Sequence, residues 1–312
     1  MIPGLGAEAR WPLPRTNAVH EATWGVSYLI GPAVGGVLIA TVGPATTLWA
    51  TAIGFVFSGA TVAFIRAPGV GTPEKADRPK TVLAGSAEGV RLVWRDPLLR
   101  ATTLLSMLIV AVYLPIEGVV LPYIFQQQGR PAALGLVLTA LSAGGLVGAL
   151  SYAAVGPRMR RYPVFAGAIV LASVSILAMA LAPSYALLVA AAALAGLFWG
   201  PVDPLINLAM QTRTDPVRRG RVLGVLMASY YAAGPLGYIG AGLVVERFGA
   251  QTAFIALGAV ILVVAVIAAP MRALRLFDEP GVYDPDLEGA GAHVSSCPDP
   301  RMPAPPPTNA DV

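Results

Sequence analysis

Charged residues are scarce in this 312-residue sequence, in which Asp, Glu, Lys and Arg together make up only 12%. That is about half of their share in a soluble globular protein. Hydrophobic residues make up 56%, and the mean hydropathy is +0.68. A soluble core of this size could not bury so much apolar surface, so the excess must face lipid. Five stretches contain no charged residue at all: 22–65, 131–157, 162–202, 222–245 and 248–271.

These stretches predict transmembrane helices rather than strands. A hydrocarbon core about 30 Å thick needs roughly 20 apolar residues of helix. Each stretch is long enough for one such helix, and the first and third are long enough for two. The strands of membrane barrels alternate between apolar and polar residues, whereas these stretches are apolar throughout. We therefore predict an all-α polytopic protein of the cell membrane.

Cysteine and histidine are almost absent. The one cysteine, Cys297, lies in a polar tail, which excludes a disulfide framework and a cysteine-based metal site. His20 and His293 lie outside the apolar stretches and have no further ligands at metal-binding spacing. The sequence has no Gly-rich loop ending in Lys-Ser/Thr, no HExxH motif and no GxSxG motif beside a membrane histidine. We expect neither an enzyme nor a bound cofactor or metal, which leaves secondary transport.

Turn residues divide the apolar stretches into eight predicted helices, at about 24–42, 46–65, 101–125, 132–155, 164–181, 186–209, 222–245 and 252–269. The predicted organisation has five parts: a cytoplasmic N-terminal segment (1–22), two transmembrane helices (23–66), a cytoplasmic interdomain loop (67–100), a six-helix transmembrane bundle (101–270) and a cytoplasmic tail (271–312). The tail is rich in Pro, Gly and Asp, so we expect it to be largely disordered from about residue 276.

Basic residues are distributed unequally between the two sides of this topology. With eight helices both termini share one side, and that side holds all but two of the 21 Lys and Arg residues, the exceptions being Arg130 and Arg247. Because basic residues are retained on the cytoplasmic side, both termini are predicted to be cytoplasmic. Topological anchoring also accounts for the pI of 9.4, so we expect no nucleic-acid partner.

The first and seventh predicted helices resemble each other, which indicates an internal repeat. A shift of 206 residues places Gly31, Gly36, Gly43 and Thr46 on Gly237, Gly242, Gly249 and Thr252. A repeat of about 200 residues corresponds to six helices with their loops, the parallel repeat of major facilitator transporters. By this spacing the first two helices correspond to the fifth and sixth of an N-terminal half, and four preceding helices are missing from the sequence.

Several motifs resemble those of major facilitator superfamily exporters, specifically the 12-helix drug or metabolite:proton antiporters that include macrolide and siderophore exporters. They follow the family's order and spacing over residues 13–270. In chain order they are LPRTNA (13–18) before the first helix, GPAVGG (31–36) within it, WRDP (94–97) at the start of the third, and GPVDP (200–204) with RGRV (219–222) in the sixth and the following loop.

The resemblance implies secondary active transport of a small amphipathic compound out of the cytoplasm by alternating access, with the proton gradient as the energy source. The antiporter-motif residues Gly31, Pro32, Gly35 and Gly36 would form a tightly packed interface that gates between inward and outward states; plain helix packing is the alternative. The missing helices predict a missing N-terminal half or a partner subunit. The alternative function is that of a non-transporting membrane fragment or subunit that assembles with another membrane protein.

Glu117 is the first candidate for coupling to protons or substrate. It lies 17 residues from Arg100 and 13 from Arg130, near the middle of the bilayer. A carboxylate is costly at that depth, so Glu117 should face a cavity or carry a proton. Pro115 and Pro122 flank it and predict a kinked helix. The alternative is a neutral acid that is hydrogen-bonded to a neighbouring helix.

Asp203 is the second coupling candidate. It precedes Pro204 and follows a helix-breaking Gly200-Pro201 pair, so it also resembles an N-cap residue before the first helical position. The rival interpretation is proton or substrate binding by a partly unwound helix.

The other candidates are aromatic or basic. Aromatic residues in spans can line a pocket or face lipid or core, and the pocket candidates are Tyr113, Phe198, Trp199, Tyr230 and Tyr231.

Basic residues in the loops can form gating salt bridges or act only as anchors, and the cytoplasmic gating-loop candidates are Arg158, Arg160, Arg161, Arg219 and Arg221. For Gly144, Gly145 and Gly148 we predict helix packing alone.

Overall fold

The computed structural model describes residues 27, 30, 31, 34–64, 81–215, 218–279 and 281, and all regular secondary structure in this part of the chain is helical. The α-helices are α1 (Pro44–Phe64), α2 (Val82–Arg95), α3 (Pro97–Pro115), α4 (Leu121–Gln127), α5 (Pro131–Val155), α6 (Arg161–Ala180), α7 (Tyr185–Trp199), α8 (Val202–Arg213), α9 (Arg219–Phe248), α10 (Ala250–Ala268) and α11 (Arg272–Arg275). A π-helical segment (Ile116–Val120) joins α3 to α4, and 3-10 turns cover Gly156–Arg158 and Leu276–Asp278.

Seven helical segments of the described chain are long and apolar enough to cross a membrane, which confirms the all-α polytopic fold. They are Pro44–Phe64, Pro97–Gln127, Ala132–Val155, Arg161–Ala180, Tyr185–Arg213, Arg219–Phe248 and Ala250–Ala268. They match the second to eighth predicted helices. The first predicted helix, at about 24–42, falls partly outside the described residues, although residues 34–42 are helical.

Helices α5 and α7 form the closest helix pair of the bundle, because small residues line their contact. A Cβ on Gly144 or Gly148 of α5 would collide with the backbone of Ala193 or Leu197 on α7. Reciprocally, a Cβ on Gly196 would collide with the backbone carbonyl of Leu141 on α5. Such close approach gains dispersion contacts that larger residues would prevent, and it confirms the packing role predicted for Gly144 and Gly148.

The core of the six-helix bundle is formed largely by residues of α3, α6, α8 and α10. Its largest fully buried side chains include Phe165 and Ile169 on α6, Leu205 on α8, and Phe254 and Ile261 on α10. The helices are apolar on all sides, so outward-facing residues such as Val263 on α10 remain exposed to the surroundings. This pattern is typical of a bundle that is surrounded by lipid.

Two segments outside the predicted spans are ordered. Helix α2 lies within the predicted interdomain loop (67–100) and packs on α9. At the other end of the chain, Leu274 and Phe277 are 0% and 3% exposed, and the rings of Phe277 and Phe165 are 4.7 Å apart. The expectation of disorder from about residue 276 is therefore wrong for residues 276–279, because these apolar side chains bury against α6. The residues from 282 onward lie outside the described chain.

Helix α1 and the helical residues before it contrast with the bundle. None of the residues of α1 is buried. The preceding helical residues approach the bundle at Gly36, where an added Cβ would lie 3.6 Å from the Cα of Gly135 on α5. Gly43 and Gly249, which the predicted repeat superimposes, both have positive φ, of 82° and 80° respectively. Each one separates two consecutive membrane helices, so the repeat extends to backbone conformation.

Candidate functional site

Glu117 lies in the π-helical segment between α3 and α4, at a wide turn created around Pro115. Pro115 has no N–H to donate to the carbonyl of Ala111 one turn earlier, so the regular hydrogen-bond ladder is interrupted there. Glu117 is half-buried, and its carboxyl accepts a hydrogen bond from the hydroxyl of Tyr113. The predicted kink therefore takes the form of a π segment that carries the acid.

Helix α9 packs tightly against this turn. Gly237 lies so close to the Ala111 carbonyl freed by Pro115 that a Cβ there would overlap the oxygen. The ring of Tyr238 lies over Gly118, where an added Cβ would be 2.9 Å from the Tyr238 hydroxyl. The absence of side chains at positions 118 and 237 thus lets α9 reach the backbone on both sides of Glu117.

One face of the continuous helix formed by α3 and the π segment carries Ser106, Tyr113 and Glu117. They are separated by seven and four residues, and a helix of 3.6 residues per turn brings such positions onto one side. Ser106 is buried and shares a hydrogen bond with Tyr230 of α9. The face therefore carries a hydroxyl, a phenol and a carboxyl in a row.

The second acid, Asp203, lies on α8, near the Ser106 end of this face and about three helical turns from Glu117. Helix α8 begins at Val202, directly after Pro201, so Asp203 lies in its first turn. The predicted N-cap role of Asp203 is wrong, because the helix begins at Val202, two residues earlier than the Asp-Pro pair suggested. The Asp203 carboxylate accepts a hydrogen bond of 3.3 Å from Trp199 Nε1 and lies near Tyr230. Tyr230 thus lies between Ser106 of α3 and Asp203 of α8.

The other two aromatic candidates are placed differently. Tyr231 is 78% exposed, since neighbouring residues of a helix point about 100° apart and Tyr230 faces α3. Phe198 is half-buried beside Trp199. The structure therefore places Tyr113 beside Glu117, and Trp199 and Tyr230 beside Asp203, and it leaves Tyr231 on an open face of α9. Sequence reasoning missed two residues of this region, Ser106 and Tyr238. The available signal was the pair of glycines Gly118 and Gly237, which lie on facing helices and let those helices pack closely.

The predicted gating arginines lie at one end of the bundle. Arg160 pairs with Asp278 at 3.1 Å, and Arg221 pairs with Glu88 of α2 at 2.6 Å. Arg219 donates to the backbone carbonyls of residues 211 and 214 at the end of α8, and Arg158 donates to the carbonyl of residue 154 at 3.4 Å. Arg161 lies near Tyr152.

Further ionic contacts at this end were not predicted from the sequence. Arg213 Nη1 lies 3.2 Å from Asp96 Oδ2, and its Nη2 donates to the carbonyl of Leu276. Asp278 also accepts from the backbone N–H of Tyr162 at the start of α6. The loops before α3, before α6 and after α8 therefore meet one another and residues 276–278 at a single end of the bundle.

The antiporter-motif residues are only partly within the described chain. Gly31, Gly35 and Gly36 lie in helical positions, and Gly36 alone of these three has a close neighbour for an added Cβ, at Gly135. Pro32 lies outside the described residues. Within the described residues, no group of three His, Cys, Asp or Glu side chains is arranged to hold a metal ion.

Comparison of the sequence with known proteins places the chain in a family. The sequence profile described as Major Facilitator Superfamily matches residues 116–296. The chain is 37% identical over 278 residues to a protein named multidrug efflux pump Tap from Mycobacterium tuberculosis, covering 89% of this chain and 66% of that protein. Tap from Mycolicibacterium fortuitum gives the same identity and 68% coverage of its length.

A more distant relative carries a related name. Macrolide efflux protein A from Streptococcus pyogenes is 24% identical over 270 residues, covering 85% of this chain and 66% of that protein. The chain thus spans about 66% of the length of the first relatives that it matches.

Proposed function

Since this chain belongs to the major facilitator superfamily, we propose that it forms the larger part of a proton-coupled exporter for a small amphipathic compound. It would act in the cell membrane with both termini in the cytoplasm and export by alternating access. The names of the relatives support efflux over uptake. We expect no enzymatic activity and no bound cofactor, with the proton gradient as the energy source.

The observation that carries this proposal is the position of Glu117. An acid at the midplane of a membrane helix is costly and is typical of proton or ion pathways. Here it lies in a π segment, which in helices often marks a functional position, and the phenol of Tyr113 donates to it. Breaking and remaking that hydrogen bond would let the carboxyl exchange a proton without dismantling the surrounding packing.

Antiport follows if proton and substrate compete for this acid. In the proposed cycle, Glu117 carries a proton inward in one half-cycle and, as a carboxylate, contacts a cationic or polar part of the compound in the other. Tyr113, Trp199 and Tyr230 would contact its apolar or aromatic part, and Asp203 supplies a second acceptor near Tyr230. Export is then driven by the inward proton gradient.

Alternating access requires a second bundle, and the exposed faces of the chain are consistent with one. None of the residues of α1 is buried, and Tyr231 and Ile239 of α9 are 78% and 66% exposed. We propose that further helices, in a longer native product or in a partner subunit, cover these faces. The alternative, a non-transporting membrane subunit, would leave the bundle assembled but without flux.

Everted membrane vesicles test the proposal. The native product is first sized by immunoblot against residues 282–312. Export of a fluorescent cationic dye under an imposed pH gradient is then compared between that product and the present chain alone. We expect gradient-dependent export by a native product longer than this chain, and little export by the chain alone. An absence of gradient-dependent export from both samples would contradict the proposal and favour the non-transporting subunit.

A further inference from the structure

Helix α2 presents two different faces. Its inner face, with Gly85, Gly89 and Val93, is buried, and Gly89 lies directly against the Arg221 carbonyl of α9. The opposite face carries Leu83, Ala87, Val90 and Trp94, which are spaced by four, three and four residues and therefore align along the helix. We call these four residues the outer stripe.

The outer stripe is open in the structure. Leu83 is 82% exposed, Val90 41% and Trp94 52%. A scattered apolar side chain on a surface needs no explanation, but an aligned stripe on a helix anchored by its other face indicates a partner surface.

The position of α2 along α9 indicates the depth at which this surface lies. Val93 packs with Val222 and Leu226, which are in the first two turns of α9. Glu88 pairs with Arg218 and Arg221, which precede the apolar part of α9. The helix therefore lies where the charged end of a membrane helix gives way to its apolar span. That level corresponds to the boundary between lipid headgroups and acyl chains.

Two arginines border the outer stripe. Arg91 and Arg95 are one helical turn apart on one side of Trp94, and both are exposed. Neither has a carboxylate partner among the described residues, in contrast to Arg213, Arg218 and Arg221, which pair with Asp96 or Glu88. Their guanidinium groups are thus available for an anion at the same level as Trp94.

We propose that α2 is a membrane-surface helix that binds anionic phospholipid headgroups. Leu83, Val90 and Trp94 enter the top of the acyl region, where tryptophan is favoured, and Arg91 and Arg95 bind lipid phosphates. The Glu88 ion pairs fix the roll of α2 about its own axis, so that the stripe faces the bilayer. This inference is independent of what the protein transports.

Quenching of Trp94 by brominated lipids tests the proposal on the whole chain. The chain is reconstituted in vesicles of phosphatidylcholine and phosphatidylglycerol, with bromine near the top of the acyl chain of one lipid class at a time. Subtracting the signal of Trp94→Phe isolates Trp94 from the other tryptophans. We expect strong quenching, and a phosphatidylglycerol enrichment at Trp94 of about fivefold over the bulk, which corresponds to about 1 kcal/mol for a basic residue near the surface.

The Arg91→Gln/Arg95→Gln variant should reduce this enrichment to about one. The matched control is Arg158→Gln/Arg272→Gln, which removes the same charge from exposed positions at the same end of the bundle and should retain the enrichment. A Trp94 that no brominated lipid quenches would overturn the proposal, since the stripe would then be covered by protein, either a second copy or further helices. Equal quenching by both lipid classes, or loss of enrichment in the control variant, would overturn the specific role of Arg91 and Arg95.

Discussion

The Asp96 carboxylate joins the start of α3 to the end of α8 through Arg213, whose Nη1 lies 3.2 Å from Asp96 Oδ2. The other oxygen of Asp96 accepts from the backbone N–H groups of Leu98 and Leu99 and so caps α3. Both charged side chains are mostly buried, at 15% and 22% exposure. One side chain therefore serves as a helix cap and as one half of a long-range ion pair.

Substitution at Asp96 should separate these two roles. Asp96→Asn keeps an oxygen for the cap and loses the ion pair, whereas Asp96→Ala loses both and leaves Arg213 with the Leu276 carbonyl. We expect Asp96→Ala to lower the free energy of unfolding by about 2 kcal/mol, and Asp96→Asn by about half of that. Thermal unfolding in detergent measures both, with Glu246→Ala at an exposed position as the control. Equal losses for Asn and Ala would show that the cap contributes nothing.

Contact between α3 and α9 depends on the absence of a side chain at position 237. Gly237→Ala should force α9 away from the Ala111 carbonyl and destabilise the protein by about 1–3 kcal/mol, as overpacking does elsewhere. Gly240→Ala, one turn further along α9, is the matched control, since an added Cβ there meets nothing within 4 Å. That control should be neutral or slightly stabilising, because Ala favours helix over Gly.

A comparison of the two variants by thermal unfolding checks this packing. If Gly237→Ala proved as stable as Gly240→Ala, α9 would not lie against Ala111, and the described surroundings of Glu117 would be wrong.

Residues 274–277 should contribute to stability although they follow the last membrane helix. Phe277 is 3% exposed and packs on Phe165, so Phe277→Ala should cost about 3 kcal/mol through the cavity that it leaves. Phe248→Ala is the control, because Phe248 is 65% exposed and its removal leaves no internal cavity. Unfolding midpoints in detergent would measure both, and an unchanged midpoint for Phe277→Ala would mean that this segment does not pack on α6.

Most of the spans could be predicted from the sequence because lipid requires long apolar runs with few or no charges. The helix ends near Gly43 and Gly249 could also be placed, since each of these turns contains a glycine that tolerates positive φ. The helices from about 132 to 269 deviate from their predicted bounds mainly at the ends, except where Gly200-Pro201 divides one of them.

Contacts between distant loops could not be predicted in this way. The pairing of Glu88 with Arg221 joins residues that are 133 positions apart, and charge patterns alone do not select partners at that distance. Helix α2 was missed because two of the residues of its inner face, Gly85 and Gly89, are glycines, which lower helix propensity while permitting close packing on α9. Phe277 was assigned to a disordered tail because the residues that follow it are rich in Pro, Gly and Asp. That composition was given more weight than the apolar side chain of Phe277.

The candidate site was predicted in part. Glu117, Tyr113 and Tyr230 could be named because acids and phenols are rare in membrane spans, but their partners on other helices, Ser106 and Tyr238, are ordinary residues that only the packing of α3 and α9 identifies. The coupling roles of these residues remain predictions until transport is measured.

The most direct test of the proposed mechanism is proton movement coupled to substrate. Vesicles that contain the exporting assembly and an internal pH-sensitive dye receive the transported compound without an imposed gradient, and the initial rate of proton movement is recorded. The account predicts that Glu117→Gln lowers this rate at least about a hundredfold, the lower end of the range for loss of a positioned acid–base group. Glu246→Gln, at an exposed position near the end of α9, should leave the rate unchanged. Proton movement at the unaltered rate in correctly inserted Glu117→Gln would contradict the central claim that this carboxyl couples export to the proton gradient.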